Sequence, residues 1–99
     1  MSIEKVLEDF AVKHSWNEIT QMGLLQDYID NQFSNEAFMD FLYEKVKFED
    51  NNEKKFFSYF EIYEYMNWNN TSLIYILSEY IENQQSEEAF VDYLYNIEG

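Results

Sequence analysis

Residues 16–44, WNEITQMGLLQDYIDNQFSNEAFMDFLYE, decide the fold because the chain writes them twice: residues 68–96 read WNNTSLIYILSEYIENQQSEEAFVDYLYN, offset by 52. The two stretches align without a gap and 14 of the 29 positions are identical, among them Trp16/Trp68, Asn17/Asn69, Leu25/Leu77, Tyr28/Tyr80, Ser34/Ser86, Phe38/Phe90 and Asp40/Asp92. Others exchange like for like, as in Asp27/Glu79, Asp30/Glu82 and Phe41/Tyr93. A duplication of this size sets the architecture before any local motif does.

The repeated unit is helical by its spacing. From Ser34 onward the apolar residues Ala37, Phe38, Phe41, Leu42 and Val46 fall on one helix face, with Ser34 placed as N-cap and Glu36 in the first turn. Ser86, Glu88, Ala89, Phe90, Tyr93, Leu94 and Ile97 repeat that pattern. Upstream, Ser15-Trp16-Asn17-Glu18 has the form of a capping box, followed by a stripe of Ile19, Met22, Leu25 and Ile29 that runs to about Asn31. Its second copy spans about residues 69–83. The run Leu73-Ile74-Tyr75-Ile76-Leu77 alone would also suit a buried strand, but its counterpart contains Gln21 and Gly23, so both copies read as helix, the second buried on more sides. Ile3, Val6, Leu7, Phe10 and His14 give a first helix, and its equivalent is expected over about residues 53–66, crowded with more rings than one core can take. The joint Phe48-Glu49-Asp50-Asn51-Asn52 is short and polar and lacks the Pro or Gly of a flexible linker. The expectation is an all-α protein of six short helices, two tandem three-helix repeats (1–50 and 51–99) packed together, elongated and related by an approximate two-fold axis.

Ninety-nine residues make one domain, or two small ones sharing a core. At 46% hydrophobic with 20 aromatic residues the chain is too apolar to be disordered, although its formal charge is −14. That charge repels phosphate and anionic lipid, so the expected partner is a basic protein, with no direct nucleic-acid or membrane contact. The absence of cysteine removes disulfides and thiolate chemistry. The acidic start and the lack of any apolar run near ~20 residues lead to the expectation of a cytoplasmic protein.

Catalysis finds little to work with. His14 is the one histidine and is followed by Ser15, already read as a cap, so it reads as a helix-end residue and not as a base. Asp50-Asn51-Asn52-Glu53 offers oxygen ligands without the glycine turn or spacing of a calcium loop, and Asp50, Glu53 and Lys55 lack the rigid scaffold of a nuclease centre. No cofactor, resident metal or enzymatic activity is expected.

The charge pattern carries more. Glu36, Asp40 and Glu44 are spaced i, i+4, i+8 opposite the apolar stripe of their helix, and Glu88 and Asp92 repeat the row. Glu79 and Glu82 repeat Asp27 and Asp30. Like charges at this spacing cost helix stability, and the blander alternative is a solvated face. Against it stands the distribution: all six lysines lie at or before Lys55, there is no arginine, and residues 56–99 hold eight acids and seven of the nine tyrosines. Tyr beside carboxylate, as in Glu61-Ile62-Tyr63-Glu64-Tyr65, suits contact with Arg or Lys side chains, though the rings could equally fill a core or join a homodimer. The candidate partner-binding residues are therefore Glu36, Asp40, Glu44, Glu61, Tyr63, Glu64, Tyr65, Glu79, Glu82, Glu88, Asp92 and Tyr95.

In size, net charge, scarcity of basic residues and acidic helices the chain resembles, as a class, the small acidic DNA-mimic inhibitors of phages and mobile elements, the anti-CRISPR and anti-restriction proteins. The resemblance implies stoichiometric inhibition of a bacterial defence nuclease, a Cas effector before a restriction enzyme, by occupation of its cationic nucleic-acid channel. Two other classes stand beside it: an immunity protein or antitoxin that neutralises a basic nuclease toxin, and an acidic interaction adaptor. A neighbouring toxin gene would favour the first of these, and self-association the second.

Overall fold

A computed structural model describes residues 2–46 and 56–98. These form six α-helices and no strand: α1 (Ile3–His14), α2 (Glu18–Gln32), α3 (Asn35–Val46), α4 (Tyr59–Met66), α5 (Asn70–Asn83) and α6 (Glu87–Glu98). The apolar run 73–77 is helical, and α5 is the most enclosed element, burying Leu73, Ile76, Leu77, Ser78, Tyr80 and Ile81. No described helix is long and apolar enough to cross a membrane. The joint at 48–52, the division at 50/51 and the trio Asp50, Glu53 and Lys55 lie outside the described residues.

Several backbone features recur at the 52-residue offset of the sequence match. Ser15 and Asn67, 52 positions apart, close α1 and α4 in the left-handed region, with φ of 60° and 56°. The following Trp amides turn back in the same way, Trp16 N–H to the Ala11 carbonyl (2.9 Å) and Trp68 N–H to the Tyr63 carbonyl (3.1 Å). The N-caps of α2 and α5 are Asn17 and Asn69, whose side chains accept from Thr20 N–H (2.9 Å) and Ser72 N–H (2.8 Å). This corrects the capping-box reading: Ser15 ends α1 and does not start α2. Ser34 caps α3 as expected, accepting from Ala37 N–H at 3.1 Å. A second correction concerns the ring-crowded helix. Residues 56–58 are not helical, so the described helix begins at Tyr59 and has eight residues.

The helices α2 and α5 form the central pair. Thr71 donates to Glu18 (2.7 Å) where both begin, and the Tyr80 and Phe33 rings meet at 5.3 Å where both end, so the two run in the same direction. Around this pair the copies exchange partners. Helix α1 packs on α5 and α6, whereas α4 packs on α3. Tyr28 of the first copy lies against Phe90 and Tyr93 of the second, at 5.2 Å in each case. The corresponding Tyr80 lies against Phe38 (5.1 Å) and Phe41 (4.8 Å) of the first. One core results, shared by both copies, in a molecule of 45 × 23 × 21 Å.

Gly23 has no structural reason to be glycine. It lies inside α2, and a Cβ built there would have no heavy atom within 4 Å. The Gly23→Ala variant is expected to gain ~0.5–1 kcal/mol, since alanine loses less backbone entropy on folding. Chemical denaturation checks this, and an unchanged midpoint would contradict it.

Candidate protein-binding surface

The surface is built from what the core leaves outside. On α3, Phe38, Met39 and Leu42 turn inward and leave Glu36, Asp40 and Glu44 exposed in a row rising ~6 Å per step. On α6, Phe90 and Leu94 are wholly buried, and Glu88 and Asp92 form the shorter copy of that row, with Asn96 where the first copy has Glu44. Among the described residues none of these five carboxylates has a hydrogen-bond or ion-pair partner. Two of the described cations are paired with other acids: Lys5 with Asp9 on α1 (3.5 Å), and Lys45 with Glu79 (2.6 Å).

The second acidic set has a different role. Asp27, Asp30, Glu79 and Glu82 each bind the opposite copy. Asp27 accepts from the Tyr93 hydroxyl at 2.9 Å and Asp30 from the Tyr59 hydroxyl at 2.8 Å. Glu79 takes the Lys45 ammonium, and Glu82 accepts from Ile3 N–H at 2.8 Å, satisfying a free amide at the start of α1. Glu79 and Glu82 are therefore half-buried joints between copies as well as acids of the candidate set, and Glu79 keeps about a third of its side chain exposed. A signal for this was present: Asp30 and Glu82 fall in the last turns of α2 and α5, where the helix dipole disfavours an acid that has no compensating donor.

The aromatic candidates divide as well. Tyr63 is 6% exposed, and its hydroxyl donates to Gln26 inside the core at 2.6 Å; it is corrected from surface anchor to core residue. Tyr65 and Tyr95 are exposed, with rings against Phe56 at 5.5 Å and Phe10 at 5.1 Å respectively. Glu61 is exposed and accepts from Phe57 N–H at 2.6 Å; Glu64 is exposed. Two neighbours were missed: Phe57, 92% exposed, and Phe60, 58% exposed, which add apolar surface beside Glu61. Their sequence context, five rings within 56–60 and 63, has no helical period from which to tell inner from outer. His14 stacks against Phe10 (6.2 Å) and Trp16 (5.2 Å), which also meet each other at 6.2 Å, and is a packed helix-end residue.

Also missed was an open groove of about 630 Å³ between α3, the end of α4 and α5, lined by Phe41, Glu44, Lys45, Met66, Trp68, Ile76, Glu79 and Asn83. Among the described residues no group of three His, Asp or Glu side chains is placed to hold a metal ion.

Hydroxyl-to-carboxylate joints have a pH signature. Burial first, then the hydrogen bond and charge of Asp30, push Tyr59 up to about 12; burial and Asp27 do the same to Tyr93. Burial raises Tyr63 and Tyr80 too. A phenol raised in the folded state binds its proton more tightly there than in the unfolded chain. The stability this confers is complete below pH ~10 and is lost as pH climbs from ~10 towards ~12. Absorbance titration at 295 nm is expected to resolve a late-ionising group of tyrosines, and Asp30→Asn and Asp27→Asn are each expected to lower, without normalising, one midpoint. A single transition at the ordinary phenol value would refute this.

No family model, curated protein or solved structure matches the chain.

Proposed function

We propose that the protein is an acidic DNA-mimic inhibitor. In this reading it binds the cationic nucleic-acid-binding surface of a bacterial defence nuclease, a Cas effector in the first instance and a restriction enzyme in the second, and blocks DNA binding in the bacterial cytoplasm. It acts by occupancy and not by catalysis.

The observation that carries the reading is the division of labour among the carboxylates. Those that join the two copies have partners, whereas Glu36, Asp40 and Glu44 and their counterparts Glu88 and Asp92 stand exposed on helices with no partner among the described residues. Adjacent like charges destabilise a helix by ~0.2–0.5 kcal/mol per pair, so the rows work against the elements that display them. A surface that gains nothing for the fold suits a partner bearing Lys and Arg. Duplex DNA presents one charge per ~1.7 Å of axis to such partners, and a rigid acidic protein competes for the same contacts with no backbone to cleave.

The test is competitive capture. Immobilised protein is incubated with bacterial lysate at low salt and washed with buffer carrying short duplex DNA; released proteins are identified, and the purified nuclease is assayed for cleavage. Release of a nuclease by DNA, with cleavage lost near one equivalent of inhibitor, supports the reading. Recovery of no nucleic-acid-binding protein sinks it.

A further inference from the structure

The groove between α3, α4 and α5 has a cation in its wall that indicates what it takes. Lys45 lines it with its ammonium 2.6 Å from Glu79 Oε1 and 5.9 Å from the centre of the Phe41 ring. A cation placed between a carboxylate and an aromatic face is the arrangement by which proteins hold basic side chains. Trp68, Met66 and Ile76 supply an apolar lining, while Glu44 adds an unpartnered carboxylate.

The other copy pairs the same position differently. Tyr93 stands where the first copy has Phe41, Asp27 where the second has Glu79, and Ile97 where the first has Lys45. There the ring carries its own hydroxyl, which donates to Asp27 at 2.9 Å and satisfies the carboxylate with a neutral group. Phe41 has no hydroxyl, so Glu79 is left for a cation. The Lys45–Glu79 pair is about one third exposed on each side, and ion pairs so open to water add little stability and exchange readily.

We propose that this groove is the receptor for an arginine side chain projecting from a basic partner, with Lys45 as the stand-in that leaves when the arginine enters. This rests on the reading of the protein as a binder of cationic surfaces and specifies the side chain it takes there. Arginine fits better than lysine: its planar guanidinium stacks on Trp68 or Phe41 and forks onto a carboxylate, while its three methylenes cover Met66 and Ile76. The groove volume of about 630 Å³ leaves room for it, and clefts that take small ligands span roughly 300–1,000 Å³.

The probe is a capped hexa-arginine peptide, titrated at low ionic strength into the intact protein and followed by the two indole N–H resonances and by calorimetry. The Trp68 resonance is expected to shift with binding well before that of Trp16, and capped hexa-lysine is expected to bind more weakly. Glu79→Gln should weaken arginine binding about tenfold. Lys45→Met should tighten it about threefold. Glu4→Gln and Lys5→Met, which make the same changes in net charge on α1, should do neither. If Glu79→Gln and Glu4→Gln weaken binding equally and the Trp68 resonance stays in place, the groove is overturned while the acidic surface remains a binder of cations. If the peptide binds as described but DNA-competitive capture fails, the inhibitor reading falls and the groove stands.

Discussion

Phe38→Ala is expected to cost ~3–5 kcal/mol, the range for emptying a buried phenylalanine site. Phe38 is 1% exposed, and its ring meets Tyr59 of α4 at 5.6 Å and Tyr80 of α5 at 5.1 Å, so one side chain ties α3 to both neighbours. Small domains have only ~5–15 kcal/mol in total, and self-repulsion at high net charge reduces what this one can spare. The melting temperature should fall by roughly 12–40 °C, at ~4–8 °C per kcal/mol for a chain of this size. Phe90→Ala should match it, because Phe90 is fully buried in the exchanged position against Tyr28. Phe57→Ala removes the same ring from a 92% exposed site and should stay within ~0.5 kcal/mol of the parent. Thermal and urea denaturation read all three, and a loss below ~1 kcal/mol for Phe38→Ala would mean that the shared core is not what holds the copies together.

Reversal of Glu88 and Asp92 to lysine should weaken binding to the captured nuclease by about a hundredfold, since close charge pairs across interfaces are coupled by ~1.5–7 kcal/mol. Much of the loss should lie in the association rate and should shrink as salt is raised. Reversal of Glu36, Asp40 and Glu44 should act in the same direction. Removing Lys5 and Lys13 should change binding by less than about threefold, as expected of charges outside the contact. Both α6 side chains are exposed and without partners, so reversal costs the fold little, mainly the ~0.3–1 kcal/mol of a cation in the first turn. A melting curve close to that of the parent separates lost binding from lost structure. Equal, small effects of the acid and lysine variants would count against the mimic.

Much of the fold was legible because the chain is written twice. The helix content, the place of α5 at the centre and the cap at Ser34 follow from apolar spacing and polar punctuation. What could not be read was which copy each helix packs against. Periodicity identifies an inward face but not the element that it meets, and so Tyr63 and Tyr65, two residues apart beside the same glutamates, read alike although one lies in the core. For the same reason Asp27 and Glu79 read like the exposed rows, whereas Asp30 and Glu82 were marked by their place in the last turns of α2 and α5. The acids of α3 and α6 were legible as surface, since the opposite face of each helix is plainly apolar.

The exchange of partners between copies has a consequence for history and for engineering. Each copy satisfies its middle-helix tyrosine with rings from the other, and the first helix of each leans on the other's helices. A chain of half this length would find those contacts only in a second molecule. The arrangement is one that joining the subunits of a homodimer head to tail would produce. The two copies differ at one such joint: Tyr63 donates to the Gln26 amide, while the matching pair is Ala11 and Ser78, whose buried hydroxyl has no partner among the described residues. Fusion removes the concentration dependence of assembly and allows one side of a symmetric binder to be altered without altering the other.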